Sequence, residues 1–168
     1  DKGMPYPPPR MFLRAFKHEG ELELWAGKKG APLVLVKTFA VCAKSGALGP
    51  KRRRGDLQVP EGFYRTTIQM PWTRYWMGVH INYPNGRDKR LRYTGSAIMI
   101  HGACASIGCM AMTDERIMEL WLLIRRQRPR RSVPVHIYPA RDLAGLIAKT
   151  KRPELKAFWK QLKRGRDL

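Results

Sequence analysis

Residues 99–117 read MIHGACASIGCMAMTDERI and place one histidine and two cysteines among small, mostly uncharged neighbours. A cysteine attacks a carbonyl only as a thiolate, and a histidine within reach can take its proton and stabilise the resulting anion. We therefore interpret Cys109 as a nucleophile and His101 as its base. Gly102, Gly108 and the small residues between them would let the chain double back so that the two side chains meet. The chemistry that this pattern predicts is acyl transfer.

Two features beside this pair would support the same chemistry. Backbone N–H groups around Gly108 would face the oxygen that becomes negative in a tetrahedral intermediate, and such donors typically contribute about 3 to 4 kcal/mol. Thr113 can cap a helix that begins at Asp114, and the dipole of that helix would favour the thiolate form of Cys109. The segment 101–109 is thus expected to lie between a strand and a helix.

Two other roles for these side chains stay open. The first is a zinc site, with ligands drawn from His101, Cys104, Cys109, Cys42, His80 and His136. The chain lacks the CxxC and HxxxH spacings that are typical of such sites. In the second, the side chains are packed and inert, since unpaired cysteine is among the most buried residue types. Three cysteines allow at most one disulfide and leave one thiol over.

Composition and charge limit the class of protein. The 168 residues are 43% hydrophobic and 27% charged, which is typical of a single folded domain. A net charge of +20 favours an anionic partner, such as nucleic acid, a lipid surface or a carboxylate-rich polymer. Basic runs occur at 51–54 and 125–131, but without a zinc-finger spacing, RNP motif or basic zipper we expect no nucleic-acid partner. The uncharged stretch 94–113 carries polar residues and glycines, so we expect no transmembrane segment.

Strand patterns occupy most of the chain. Runs of strand formers bounded by turn residues predict strands at 11–16, 21–27, 31–43, 62–70, 75–83, 96–100 and 132–139. Odd-numbered residues from Tyr75 to Ile81 would share one face of their strand, with Trp76, Gly78 and His80 on the other. The glycine-rich and basic segment 45–62 is expected to be a long loop beside the sheet.

Two helices are predicted near the C-terminal end. The first spans 114–126, with a buried stripe formed by Ile117, Leu120, Trp121 and Ile124. The second covers 152–165 and would end at Gly165, with one apolar face formed by Leu155, Phe158, Trp159 and Leu162. Together the patterns predict a mostly β fold with flanking helices.

Several segments resemble the L,D-transpeptidase (YkuD-domain) family. HGACASIGC resembles its active-site motif, which is His-Gly, a linker and then Ser/Thr-x-Gly-Cys. LWAGKKGAPLVLVKTFAVCAKSG resembles its opening strands, and SGALGPKRRRGDLQVPEGFY its glycine-rich loop and the Thr/Ser-Pro-x-Gly-x-Tyr/Phe turn that follows. INYPNGRD and FWKQLKRG are similar to one branch, typified by a periplasmic amidase that releases a lipoprotein from peptidoglycan. The resemblance covers positions 11 to 164.

The resemblance implies an α+β catalytic domain with a curved sheet or sandwich. It implies that Cys109 is the nucleophile and His101 the base, with the Gly102 carbonyl orienting the imidazole. The oxyanion hole would be formed by the N–H groups of Ile107, Gly108 and Cys109. Candidate substrate-binding residues are Ser106, Tyr64, Tyr83, Asn85 and His80. No metal or other cofactor is implied.

The implied substrate is a peptidoglycan stem peptide that contains meso-diaminopimelate. The thiolate would attack the L-to-D amide, an amine would leave, and an acceptor amine would resolve the thioester. Two alternatives stay open: water resolves the same thioester, which makes an amidase or carboxypeptidase, or the protein is a silent basic module that binds wall or nucleic acid.

Three positions depart from the commoner family pattern. The linker from His101 to Cys109 is short, Ile107 replaces a usual second histidine, and Ala111 stands where arginine or asparagine often follows the cysteine. The missing histidine is not the base in the family, so the chemistry is expected to survive. These changes are expected to affect which acceptor is used and how the donor peptide is bound.

The resemblance also predicts organisation and location. Residues 1–10 would be a Pro-rich lead-in and 11–168 a single catalytic domain, monomeric and exported to the periplasm or cell envelope, with its signal segment upstream. Anionic wall polymers would be further partners of the basic surface. We hypothesise that Cys42 and Cys104 form a disulfide that leaves Cys109 unpaired, as would suit an oxidising periplasm.

Overall fold

The structure, a computed structural model, describes residues 5–127 and 132–166. Parts of the predicted lead-in (1–4) and of the second basic run (128–131) lie outside the described residues, as do 167–168. The described strands are β1 (Arg10–Phe16), β2 (Glu21–Gly27), β3 (Val34–Ala40), β4 (Ala43–Lys44), β5 (Gly62–Thr73), β6 (Trp76–Ile81), β7 (Met99–His101), β8 (Met110–Ala111) and β9 (Pro134–Tyr138). The described helices are α1 (Gly86–Arg90), α2 (Asp114–Arg126), α3 (Leu143–Lys149) and α4 (Pro153–Arg166).

The strands form one open sheet in the order β3-β2-β1-β9-β5-β6-β7-β8-β4. Strand β9 inserts between β1 and β5, parallel to β1 and antiparallel to β5. Strands β7 and β8 are also parallel, so the linker between them crosses from one end of the strand pair to the other. The prediction of a mostly β fold with flanking helices is confirmed.

The hairpin of β1 and β2 shows why these residues form strands. Apolar residues alternate along both, and the antiparallel register pairs Leu13 with Leu24 and Ala15 with Leu22, all of them buried. Burying a leucine side chain contributes roughly 1.5–3 kcal/mol. Gly20 allows the tight turn, since its φ of +68° is unfavourable for other residues. The pattern of alternation therefore determines both the strands and the face that they bury.

Helix α2 has the predicted bounds and buries its whole predicted stripe. Thr113 occupies the N-cap position, but its side chain makes no capping hydrogen bond. The Asp114 carboxylate instead accepts a hydrogen bond from the backbone N–H of Ala103, at 2.7 Å. The start of α2 is thus tied to the linker that joins β7 to β8.

Helix α4 also buries its predicted face, against Phe16 and Tyr138. The prediction that Gly165 ends this helix is wrong, since α4 continues to Arg166. A Cβ at Gly165 would lie 2.4 Å from Cζ of Phe63. Glycine is therefore needed there for close packing of the helix on the sheet, a requirement that is not visible in the local sequence.

The predicted face of β6 is correct for Val79 and Ile81, which lie in the core, but not for Tyr75. Trp76 has a φ of +65°, which breaks the alternation of side chains at the start of the strand. The ring of Tyr75 packs against the ring of His101, with a centroid separation of 4.7 Å. Tyr75 is thereby placed beside the candidate base.

The predicted long loop after β4 is stabilised by a buried lysine. Nζ of Lys17 donates to the carbonyl oxygens of Ala47, Gly49 and Val59 at 2.8–3.0 Å, and lies 3.1 Å from Oε1 of Glu61. Burial lowers the pKa of Lys17, although the Glu61 carboxylate opposes that shift. These contacts of Lys17 hold both ends of the loop, which forms one wall of the cleft at Cys109.

Candidate active site

His101 ends β7 with a side chain that is only 1% exposed. Its Nδ1 lies 2.7 Å from the carbonyl oxygen of Gly102. Because a carbonyl oxygen only accepts, Nδ1 must carry the proton, and Nε2 then holds the lone pair. Burial lowers the pKa of His101, although the Gly102 bond opposes the shift. The ring is therefore a neutral imidazole with a defined tautomer near neutral pH.

Cys109 immediately precedes β8 and lies close to His101 in the sheet. The parallel register pairs His101 with Ala111, which places Cys109 opposite Met99, two residues before His101. The Met99 N–H donates to Sγ at 3.4 Å. Side chains two residues apart on a strand share a face, so the Cys109 and His101 side chains project to the same side of the sheet. The linker thus returns Cys109 to the strand that ends in His101.

The thiol of Cys109 is 8% exposed, and this burial affects its protonation. Burial raises the pKa of Cys109, which outweighs the hydrogen bond from Met99 and the nearby charge of Lys51. Any contribution of the α2 dipole toward the thiolate is thus set against a larger effect of burial. A neutral thiol beside a neutral imidazole needs the imidazole to take the proton during the reaction.

The turn before Cys109 is held by two serine hydroxyls. Oγ of Ser106 accepts from the Cys109 N–H at 3.1 Å and donates to the Cys109 carbonyl oxygen at 2.6 Å. Oγ of Ser45 accepts from the Gly108 N–H at 2.6 Å and donates to the Leu57 carbonyl oxygen at 2.7 Å. Two of the three predicted oxyanion donors are thus hydrogen-bonded to hydroxyl oxygens in this state.

Cys109 opens onto a cleft of about 320 Å³. The described lining is Lys51, Arg54, Gly55, Leu57, Tyr75, Gly95, Ser96, Ala97, Ile98, Met99, Ile107 and Cys109. Ile107 is 69% exposed at the rim. The cleft is large enough for part of a peptide and has basic residues on one wall.

The sequence pattern of the YkuD domain, described as the L,D-transpeptidase catalytic domain, matches residues 19–137. The chain belongs to the L,D-transpeptidase catalytic-domain family. His101, Gly102 and Cys109 all lie within the matched segment. Membership of this family indicates an activity related to peptidoglycan.

A curated relative agrees with this membership, and two solved structures share the fold. The chain is 39% identical over 163 residues to YafK of Escherichia coli (strain K12), a provisionally assigned L,D-transpeptidase, and covers 94% of its own length and 65% of that protein. It therefore spans just under two thirds of this relative. A variant of the helical cell shape determining protein Pgp2 from Campylobacter jejuni has a similar fold, with a TM-score of 0.67 and 20% identity over 94% of this chain and 54% of that one. Bd1075 of Bdellovibrio bacteriovorus matches with a TM-score of 0.59 and 21% identity over 94% of this chain and 56% of that one.

Three predicted substrate-binding residues do not line the cleft of this L,D-transpeptidase domain. Tyr64 is buried, and its hydroxyl contacts the Glu61 carbonyl and the Asp88 carboxylate at 3.2 and 3.1 Å. Asn85 caps α1, in a capping box with Asp88. Tyr83 lies behind the wall, with its hydroxyl 3.3 and 3.2 Å from the carbonyl oxygens of residues 51 and 94. Tyr64 and Asn85 therefore stabilise the fold, whereas Tyr83 supports the wall of the cleft.

The other two predicted residues lie nearer to Cys109. His80 pairs with Met99 across β6 and β7, on the side of the sheet that carries His101, but it is not part of the described lining. Burial lowers the pKa of His80. Ser106 contacts the backbone of Cys109 rather than the open cleft. Neither side chain therefore lines the described cleft.

Sequence reasoning missed the residues that do line the cleft beside the thiol. Lys51 and Arg54 belong to the basic run 51–54, which resembled an ordinary solvated surface. Tyr75 was predicted only to share a strand face with the odd-numbered residues up to Ile81. The signal that pointed to the basic pair was the position of the run inside a glycine-rich loop, since such loops often approach a site closely.

Cys42 and Cys104 form a disulfide with a Cα–Cα distance of 5.5 Å, which confirms the hypothesised pairing. Cys109 is not disulfide-bonded. The bridge joins the segment after β3 to the linker between His101 and Cys109. It also occupies two of the cysteines that a zinc site would have used.

Gly102 is the most tightly packed position of the motif. A Cβ there would lie 2.5 Å from Oδ1 of Asp114, 3.0 Å from Cβ of Trp76 and 3.1 Å from the carbonyl oxygen of Tyr75. A larger residue would require Asp114, or the backbone that carries the carbonyl beside His101, to shift. Separately, none of the helices in the described part of the chain has the length and apolar content needed to cross a bilayer.

Proposed function

We propose that this protein is a peptidoglycan-modifying L,D-transpeptidase that acts through a thioester at Cys109 on stem peptides containing meso-diaminopimelate. The observation that carries the proposal is the arrangement of His101 and Cys109. The imidazole has its tautomer fixed by Gly102 and shares a sheet face with a buried thiol that opens onto a cleft. Family membership supports the substrate class.

The proposed reaction starts with transfer of the thiol proton from Sγ of Cys109 to Nε2 of His101. The thiolate then attacks the carbonyl carbon of the L-to-D amide and forms a tetrahedral intermediate. When the C–N bond breaks, the imidazolium returns its proton to the leaving amine, which leaves a thioester and a neutral His101. An acceptor amine attacks the thioester and gives its proton to His101; as the new amide forms, the C–S bond breaks and the imidazolium returns that proton to Sγ of Cys109.

The turn 106–108 would stabilise the charge that develops on the carbonyl oxygen. The N–H groups of Ile107, Gly108 and Cys109 are the proposed donors. The oxyanion would replace the neutral hydroxyl oxygens of Ser45 and Ser106 as acceptor, because a charged acceptor forms the stronger hydrogen bond. A donor of this kind typically lowers the activation free energy by about 3 to 4 kcal/mol.

An envelope location belongs to the same proposal. The Cys42–Cys104 disulfide supports it, since disulfides persist in oxidising compartments and are rare in the cytosol. A peptidoglycan substrate also lies outside the cytoplasm, and anionic wall polymers would be attracted by the net charge of +20. No cofactor takes part in the proposed steps.

Product analysis tests the reaction. The protein and its Cys109→Ala variant are incubated with muropeptides that contain diaminopimelate, with and without an acceptor amine, and the products are separated by chromatography. Cross-linked dimers made by the unaltered protein alone would support transfer. Trimmed monomers alone would show that water resolves the thioester, and unchanged muropeptides would indicate a silent binding module.

A further inference from the structure

The charge of the cleft beside Cys109 is entirely positive among the residues that the structure describes. Its lining contains Lys51 and Arg54 and neither aspartate nor glutamate. A low-dielectric cleft with one sign of charge concentrates ligands of the opposite sign. The cleft therefore favours an anionic group close to the thiol.

Lys51 is already paired. Its Nζ lies 2.5 Å from Oδ1 of Asp56 and 3.1 Å from the Arg53 carbonyl oxygen, and its side chain is 5% exposed. Burial opposes ionisation of Asp56, but hydrogen bonds from Lys51 and from backbone N–H groups outweigh it and lower the pKa of Asp56 to about 2. The carboxylate therefore stays ionised and compensates the charge of Lys51 at neutral pH.

Arg54 is the cation of the cleft that has no such counter-charge. It is exposed, and none of the ion pairs between described residues includes it. A guanidinium presents a planar fork of N–H donors that matches the two oxygens of a carboxylate. Because Arg54 lines the same cleft as Cys109, it is suited to a carboxylate near the bond that Cys109 would attack.

The backbone at Arg54 is held in place before any ligand binds. The Arg54 N–H donates to Oγ1 of Thr94 at 3.1 Å. The Asp56 carboxylate accepts backbone N–H groups from Arg52, Arg53 and Gln58, which folds the loop around it. Only the Arg54 side chain must become ordered on binding, which limits the entropic cost.

We propose that Arg54 binds a carboxylate of the acyl-donor peptide, next to the amide that is cleaved. This inference rests on the proposed function and adds a determinant of substrate specificity to it. Two carboxylates of a donor lie near that amide: the one on the D-residue that leaves, and the second carboxylate of diaminopimelate. Both offer the same chemistry to a guanidinium, and the experiment distinguishes them.

The test compares Arg54→Gln with Arg53→Gln. Both substitutions remove one positive charge from the same loop, but Arg53 faces a separate hollow beside Leu155 rather than the thiol cleft. Each is combined with Cys109→Ala, and binding of the tetrapeptide donor is measured by calorimetry. The donor is used unmodified, amidated at the terminal D-residue, or amidated at diaminopimelate. Thermal melting of each variant checks the fold, and Arg54→Lys tests the need for the fork.

We expect Arg54→Gln to weaken binding of the unmodified donor about tenfold or more, which is typical of losing a charge-assisted hydrogen bond. Arg53→Gln should change binding less than twofold, and Arg54→Lys should have an intermediate effect. Amidation of the carboxylate that Arg54 binds should weaken binding to protein that retains Arg54 by about the same factor as Arg54→Gln does. The same amidation should not weaken binding to Arg54→Gln any further. The carboxylate whose amidation has this effect is then the one that Arg54 binds.

Equal losses of donor affinity for Arg54→Gln and Arg53→Gln would overturn the inference. They would indicate a general electrostatic attraction by the basic loop rather than a specific contact with Arg54. A loss for Arg54→Gln that is the same for all three donors would overturn it as well, as would the absence of binding. If binding depends on Arg54 in this way but the protein with Cys109 never forms a thioester, the proposed function fails while the carboxylate site stands.

Discussion

At the scale of single residues, the site combines a neutral base with a neutral thiol. Burial lowers the pKa of His101 and raises the pKa of Cys109, so both groups are uncharged across the neutral range. A preformed thiolate–imidazolium pair is therefore not the resting state. In the proposed mechanism the proton is therefore transferred during the reaction with the substrate.

The first prediction concerns pH. Only neutral His101 can accept the thiol proton, and its pKa lies below the ordinary value of 6.5. Activity should therefore be lost as the pH falls through that lowered pKa, with the midpoint of the acid limb of kcat/KM below 6.5. An NMR titration of the imidazoles in Cys109→Ala, compared with the Cys109→Ala/His101→Gln double variant, assigns the group. A midpoint at or above 6.5 for His101 would contradict the buried neutral base.

The second prediction concerns Gly102. In Gly102→Ala the new methyl group would overlap Asp114 and Trp76, and the strand end that carries the orienting carbonyl must shift. We expect a loss of about 1 to 3 kcal/mol in the free energy of unfolding and at least a tenfold fall in kcat. Gly86→Ala is the control, because the nearest atom there would be Arg90 Nη1 at 3.8 Å. Unchanged activity in Gly102→Ala would show that the position of this carbonyl is unimportant.

The sequence was informative about the reacting residues and much less so about their surroundings. His101 and Cys109 could be found because a reactive pair within a short run of small residues is a local signal. Tyr64 and Asn85 do not line the cleft because both are hydrogen-bonded to Asp88, a contact that only the folded chain shows. Arg54 was missed because only the folded loop shows which arginine of a basic run faces the thiol.

At the scale of elements, the linker from β7 to β8 is the part that the disulfide controls. Cys104 sits between the base and the nucleophile, and its bridge to Cys42 fixes the linker to the segment after β3. The linker contains two residues with positive φ besides glycine, Ala103 and Cys104. Such backbone needs support from the surrounding structure, and the bridge supplies it.

The third prediction follows from this bridge. It closes a loop with a sequence separation of 62 and restricts the unfolded chain, and a disulfide of this kind typically stabilises a protein by about 2 to 4 kcal/mol. Reduction should lower the free energy of unfolding by about that amount and should also reduce activity. Denaturant unfolding with and without reductant measures the effect. The Cys42→Ala/Cys104→Ala double variant should be as unstable as the reduced protein and insensitive to reductant, and equal stability of oxidised and reduced protein would contradict the prediction.

Local patterns were sufficient for most elements but not for their arrangement. Alternation predicted β1, β2 and β5, and the 3.6-residue period predicted α2 and α4. The insertion of β9 between β1 and β5 joins residues more than a hundred positions apart, which no local pattern indicates. Helix α1 escaped prediction because it has only five residues, mostly charged, and depends on its capping box rather than on an apolar stripe.

At the scale of the whole molecule, the net charge of +20 is the dominant property. Part of it is concentrated beside the thiol, and the rest covers the surface. Long-range attraction of this kind increases the rate of association with polyanions and is screened by salt. Under the proposed function, this attraction would act on a wall rich in carboxylates and phosphates.

The fourth prediction concerns that interaction. Binding to isolated cell-wall material should weaken several-fold as the ionic strength rises from about 0.01 M to 0.15 M, because the Debye length falls from about 30 to 8 Å. Cosedimentation with wall preparations measures it, and wall material stripped of its phosphate polymers is the control that separates the two kinds of anion. Binding that does not change with salt would show that the charge has another purpose.

The measurement that tests the central claim most directly is the intact mass of the protein during turnover of a diaminopimelate-containing muropeptide. A transient mass increase equal to the acyl donor minus its leaving amine is predicted, mapped by proteolysis to Cys109 and absent from Cys109→Ala. In His101→Gln the adduct should form at least a hundredfold more slowly. An adduct on another residue, or product formation that survives in Cys109→Ala, would contradict the assignment of Cys109 as the nucleophile.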